Sequence, residues 1–185
     1  MNDEPQRLVA DAVSGDAVAF RAVVDRHMGL VWSIIRTYRL SRSDAEDAAQ
    51  GVWLAVVQHL GQLRDADRLP AWIATTTRRE CLAVIRRSAR TPLNSSAVLD
   101  RIAAPDAAPD RQLLADERSR ALTEAVADLD QRCRELLALL GADPPWAYQE
   151  VAEVLDMPVG AIGPTRTRCL EKLRRHRAIR RLNLT

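Results

Sequence analysis

The sequence predicts an all-α protein of two small helical domains joined by a flexible linker, the second domain containing a helix-turn-helix. Three observations predict it. Apolar residues recur at intervals of three and four along most of the chain, which is the helical period, and nothing in the first half alternates as a strand would. From Thr91 to Gln112 the composition changes to Pro92, Pro105 and Pro109 with Asn94, Ser95 and Ser96, as in a linker. Near the C-terminus two short amphipathic segments meet at Asp156-Met157-Pro158, too little chain for anything but a sharp corner. The expected division is a helical domain over 1–90, a linker over 91–115 and a helix-turn-helix domain over 116–185.

In the first domain, residues 4–13 form a short helix ended by Ser14, Gly15 and Asp16. A long second helix follows, with an inner stripe of Ala17, Phe20, Val24, Met28, Val31, Ile35 and Tyr38; His27 is expected at the partly exposed surface. Ser43 followed three residues later by Glu46 has the form of a capping box. It opens a third helix with Ala48, Val52, Ala55 and Val56 inside, and Gly61 is placed to end it. A fourth helix begins around Arg68 to Pro70 and runs through Trp72, Ile73, Thr76, Leu82 and Ile85 to Arg86 and Arg87.

Beyond the linker, Leu122, Ala125, Val126 and Leu129 mark one helix, and Cys133, Leu136, Leu137 and Leu140 a second that ends at Gly141. Tyr148, Val151, Ala152 and Leu155 share a face of the third. Ile162, Cys169 and Leu173 line the fourth, which runs into a basic tail. From Arg166 to Arg181 eight basic residues face one acid, Glu171, a cluster suited to neutralising phosphates and releasing their counterions. Pro164 within this helix removes a backbone donor and crowds the carbonyl of Gly160, so the helix is expected to start late, near Gly163, or to kink.

The net charge of +2 makes this no polycation, so any affinity for nucleic acid rests on local segregation of charge. Cys81, Cys133 and Cys169 are odd in number, lie far apart and fall in helical apolar patterns. They read as small core residues in a reducing compartment. No Cys or His pair has the spacing of metal ligands, and no cofactor or metal is expected. No apolar run approaches the roughly 18 residues of a membrane span, and the N-terminus lacks a signal-peptide pattern, so a cytoplasmic protein without membrane insertion is expected. His27, His59 and His176 are isolated from paired carboxylates, and no glycine-rich phosphate loop appears, so an enzyme finds no support. A stand-alone transcriptional regulator is the alternative reading of the composition. The acids Asp44, Glu46 and Asp47 on the third helix and the separate arginines Arg78, Arg79, Arg86, Arg87 and Arg90 on and after the fourth have no use in a simple repressor.

Five fragments carry a resemblance. Asp44-Ala45-Glu46-Asp47-Ala48-Ala49-Gln50-Gly51-Val52-Trp53, Leu69-Pro70-Ala71-Trp72-Ile73-Ala74-Thr75, Leu129 to Leu140, Tyr148-Gln149-Glu150-Val151-Ala152 and Pro158-Val159-Gly160-Ala161-Ile162 occur in this order. Together they resemble the sigma-70 family of RNA polymerase sigma factors, in its small extracytoplasmic-function type with only regions 2 and 4. The resemblance implies that Asp44, Glu46, Asp47, Gln50 and Trp53 dock on core RNA polymerase, at the coiled coil of its largest subunit, with the flap of the second-largest subunit as a further contact. It implies that Trp72, Thr75, Thr76, Arg78, Arg79, Arg86 and Arg87 capture and melt the promoter −10 element, with an extruded base near Arg79. It also implies that the last helix reads the −35 element, through Gly163, Thr165, Arg166, Thr167, Arg168, Lys172 and Arg174. An anti-sigma factor is an implied partner. Relatives commonly carry a basic residue and then Ser where this chain has Gly163 and Pro164, so base readout is expected to fall on Thr167 and Arg168.

Overall fold

The computed structural model describes residues 3–63, 65–90, 112–142 and 145–182. Helices α1 to α9 span Asp3–Val13, Ala17–Thr37, Arg42–His59, Leu69–Arg90, Gln112–Ala127, Gln131–Leu140, Tyr148–Leu155, Val159–Arg175 and Arg177–Leu182, with 3-10 turns at Leu60–Gln62 and Ala66–Arg68. No strand occurs among the described residues. The chain divides into two compact units, Met1–Asp100 and Arg101–Thr185. Residues 91–111 of the expected linker, including Val98, Leu99 and Ile102, lie outside the described residues, as do Asp143 and Pro144. The last residues of the stretch expected as linker are helical, since α5 opens at Gln112.

In the first unit α2 packs on α1, α3 and α4, and α3 on α4. Side chains stop and start these helices. Asp16 caps α2 by accepting from the N–H groups of Val18 and Ala19, at 2.8 and 3.2 Å. The cap of α3 is Ser41 rather than Ser43: its Oγ accepts from the N–H of Asp44 at 3.1 Å and donates to the Asp44 carboxylate at 2.8 Å. A hydroxyl can reach the third N–H of a helix only from the residue before it, and the chain turns helical at Arg42.

The inner stripe of α2 is rotated from the expected one. Ala19, Val23, His27, Val31, Ile34 and Ile35 are buried, whereas Ala17 is exposed and Phe20, Val24 and Met28 are only half-buried. His27 is therefore a core residue, 9% exposed, and not a surface one. It is tolerated there because its Nδ1–H donates to the carbonyl of Val23 at 2.8 Å, leaving a neutral imidazole satisfied one turn back. The inner line of α4 likewise runs through Ile73, Ala74, Thr77, Cys81 and Val84, with Ile85 at 40% exposure. Buried Thr77 fits because its Oγ1 donates to the carbonyl of Ile73 at 2.8 Å.

Burial lowers the pKa of His27 below 6.5, a shift that Arg26 reinforces and the Val23 hydrogen bond opposes. The unfolded chain then binds the proton more readily than the folded one, so stability is complete above 6.5 and falls as pH drops through and below that value. Melting temperatures measured from about pH 7.5 to about 5 should decline for the wild type, and His27→Asn should flatten that decline. An equal decline in both proteins counts against this assignment.

The second unit is built on α6, α7 and α8, with α5 and α9 packed together beside them. Leu136, Leu139, Val151, Leu155 and Ile162 form its centre, each at most 2% exposed and each contributing about 1.5–3 kcal/mol by burial. Tyr148, expected on the inner face of α7, is 42% exposed because it opens the helix. The basic tail expected after α8 breaks at His176 and continues as the separate helix α9.

Two of the cysteines correct the sequence reading. Cys133 of α6 and Cys169 of α8 form a disulfide across a sequence separation of 36, with Cα atoms 5.5 Å apart. Both were expected as packed thiols. Both are buried, but the helix-turn-helix folds α8 back across α6 and brings their sulfurs together. Cys81 lies buried in the first unit, outside any disulfide.

Candidate nucleic-acid interface

The corner between α7 and α8 is made by Asp156 in the left-handed conformation, φ 50°, followed by Met157 and Pro158. Asp156 is a residue type that tolerates this conformation. Helix α8 begins at Val159 with Pro158 as its N-cap, so the expected late start near Gly163 is overturned. Pro164 sits inside the helix because proline's fixed φ is itself helical; it costs the hydrogen bond to the carbonyl of Gly160, close to the helix start.

Ile162 and Cys169, both fully buried, define the inner side of α8. The opposite side carries Gly160, Pro164, Thr167, Arg168, Glu171 and Arg175, all exposed. Thr167 Oγ1 donates back to the carbonyl of Gly163 at 3.2 Å, and Arg168 donates to Thr165 Oγ1 at 3.1 Å. Gly163 and Thr165 are half-buried beside this ridge, and Arg166 and Arg174 flank it, exposed.

Lys172 is placed differently. Its Nζ lies 2.5 Å from Asp130 Oδ2. Asp130 already caps α6 by accepting from the N–H of Cys133 at 2.9 Å, and the Lys172 hydrogen bond followed by that N–H holds its carboxyl below the usual carboxylate range. Two further contacts join the same parts of the fold. His176 Nε2 donates to Asp128 at 3.0 Å while its Nδ1 accepts from the N–H of Ala178, and Arg177 donates to Glu124 at 3.3 Å. Glu124, Asp128 and Asp130 thus face Lys172, His176 and Arg177, and these contacts fasten α8 and α9 to the α5–α6 corner. Arg134 steadies that corner by donating to the carbonyls of Ala127 and Leu129. Arg166, Arg174, Arg175 and Arg180 make no such contact and project their charge outward.

On α4, Trp72, Arg79 and Arg86 recur every seven residues and so share one side, with Thr75 and Thr76 between the first two. Arg79 and Arg86 are exposed; Trp72 is half-buried, edge-to-face with His59 at 6.3 Å between ring centroids. Thr75 Oγ1 donates to the carbonyl of Ala71 at 3.0 Å, and Thr76 makes no side-chain hydrogen bond. Arg78 is half-buried off this line, and Arg87 is exposed on its far side. Glu80, the acid among these arginines, is turned to α3: a Cβ on Gly51 would lie 2.7 Å from its carboxylate. The outer side of α4 is thereby left to the cations.

The acidic stretch of α3 separates into two parts. Asp44 is engaged with its cap Ser41, and Glu46 pairs with Arg42 at 3.0 Å. Asp47 and Gln50 are exposed and make no contact of this kind, while Trp53 is half-buried. The same outward line continues into Leu54 and Val57, 57% and 62% exposed. Reading the stretch for its carboxylates passes over them, although Leu54 follows Asp47 by seven residues and Gln50 by four. Among the described residues no group of three or more His, Cys, Asp or Glu side chains could hold a metal, and no helix is long and apolar enough to cross a membrane.

The family described as Sigma-70 region 2 matches residues 23–91, from α2 to the end of α4. The chain is 21% identical over 165 residues to the ECF RNA polymerase sigma-E factor of Haemophilus influenzae, covering 85% of this chain and 86% of that one. It is 25% identical over 176 residues to the RNA polymerase sigma-H factor of Pseudomonas aeruginosa, covering 86% of each. Its fold is similar to that of the sigma factor RpoE of Bartonella quintana, solved in complex with the anti-sigma factor NepR, with a TM-score of 0.55 and 22% identity over 82% of this chain and 95% of that one. Residues 23–91 thus carry a sigma-70 region 2, and along most of its length the chain is similar to RNA polymerase sigma factors, one of them of the extracytoplasmic-function type.

Proposed function

We propose that this chain is a non-enzymatic specificity subunit that binds core RNA polymerase, recognises promoter −10 and −35 elements with separate helices, melts the DNA and so directs initiation. The observation that carries the reading is the outer side of α8, where Thr167 and Arg168 stand exposed between arginines that have no partner among the described residues. Side chains in this position enter a major groove, and the flanking guanidiniums meet phosphates. Gly163 and Thr165 shape the same helix, and Arg166 and Arg174 are the phosphate contacts. Lys172 acts mainly by holding α8 against Asp130.

In the first unit, Trp72, Thr75, Thr76, Arg79 and Arg86 form the surface for the opened −10 strand, with Arg78 and Arg87 at its margins. Asp44, Glu46, Asp47, Gln50 and Trp53, extended by Leu54 and Val57, form the polymerase-docking side of α3. An acid-bearing helix suits a charged protein partner and is repelled by DNA. The coiled coil of the largest subunit is the partner proposed for α3, and the flap of the second-largest subunit for the second unit. A partner of the anti-sigma kind, as in the Bartonella quintana complex, is proposed to cover these surfaces when transcription is off.

Run-off transcription with core enzyme on a promoter-fragment library tests the function directly. Wild-type protein should direct initiation from a defined subset of fragments. Arg168→Ala should reduce initiation at −35-dependent members about 5- to 150-fold, the value of a base contact worth about 1–3 kcal/mol. Unchanged output from that variant removes Arg168 from the interface. Failure of the wild type to start at any fragment refutes the function.

A further inference from the structure

Glu171 has no role in the reading above. It lies in the middle of the outer side of α8, seven residues after Pro164, four after Thr167 and three after Arg168. That series is the spacing at which a helix lying in a major groove presents successive side chains to base edges. Glu171 is exposed, and although Arg168, Lys172, Arg174 and Arg175 are its neighbours in sequence, it pairs with none of them. Lys172 is engaged with Asp130, and Arg168 with Thr165. An unpaired carboxylate on the side turned to a polyanion raises the free energy of every complex in which it meets only phosphate. Its charge is offset where it accepts a hydrogen bond from an amino group on a base edge. In the major groove the amino group read by an acidic side chain is N4 of cytosine.

We infer that Glu171 is a specificity-determining residue of the upstream promoter element, accepting a hydrogen bond from cytosine N4 and rejecting the same position when it offers only acceptors. The inference rests on the proposal that α8 reads DNA. It assigns one column of that element to a G·C pair in a fixed orientation, next to the column read by Thr167 and Arg168. The carboxylate excludes the other bases by repulsion as much as it selects cytosine by attraction.

The test is run-off transcription by core enzyme with the full chain on templates randomised across the upstream element, followed by sequencing of the templates used. Wild-type protein should enrich cytosine in one column at least fivefold. Glu171→Ala should flatten that column and leave the others, while binding to unrelated duplex becomes equal or tighter because a repelling charge is gone. Glu171→Gln, of the same shape, should move the preference toward adenine, whose N6 and N7 an amide can read together. Identical columns for wild type and Glu171→Ala overturn the inference alone. So does a uniform loss across all columns, which marks Glu171 as merely structural. A wild-type library with no enriched upstream column overturns the −35 reading and this inference with it.

Discussion

Reducing the Cys133–Cys169 disulfide lowers the stability of the second unit by about 3–4 kcal/mol, the loop-closure entropy returned to the unfolded chain by a separation of 36 residues. Reduction is a cleaner change than substitution, because both sulfurs stay in the core they fill. Trp146 is the one tryptophan in residues 101–185, whereas Trp32, Trp53 and Trp72 report on the first unit. Denaturant titrations with and without a thiol reductant should therefore separate a transition that moves from one that does not. The DNA binding proposed for α8 should change far less than stability, since Ile162, Leu155, Val151 and the Lys172–Asp130 contact also fix the helix. Superimposable transitions in the two conditions would remove the disulfide from the account.

What the sequence made legible follows from which signals are local. Helix number in the first unit, the corner at Asp156-Met157-Pro158 and the outer side of α8 depend on period and on proline, which act over a few residues. The rotation of α2 was lost because its true inner line passes through His27, and a polar residue in an apolar stripe moves the apparent centre toward Phe20 and Val24. Thr77 hid the inner line of α4 in the same way, its hydroxyl satisfied by the backbone one turn back. The disulfide and the Lys172–Asp130 pair join residues far apart in the chain, and no pattern within a segment encodes such contacts. The start of α8 is hidden by Pro164, which in sequence resembles a breaker although its φ suits a helix already begun at Val159.

A lysine at Leu54, on the exposed side of α3, should weaken binding to core polymerase about 30-fold, and Leu54→Lys with Val57→Lys about 100-fold or more. Apolar residues at the centre of an interface contribute about 2 kcal/mol or more each, while charges at the rim act mainly on encounter rate. Asp47 and Gln50 lead into Leu54 and Val57, so the side chains without a partner among the described residues change from polar to apolar along one stripe. Glu46 and Asp44 lie beside it, already engaged by Arg42 and Ser41, and Glu46→Ala should therefore change affinity by less than about threefold. Leu54 is 57% exposed and Val57 62%, so lysine there is solvated and the fold should melt as the wild type does. Val56, between them in sequence but fully buried, gives the opposite result: Val56→Ala should lower the melting temperature and leave affinity for the polymerase nearly unchanged. Titration of labelled protein with core enzyme distinguishes the two classes. If the Leu54 variant binds as tightly as wild type with an unaltered melting temperature, the stripe on α3 is not the docking surface, and Trp53 and the carboxylates at the start of the helix must carry the contact by themselves.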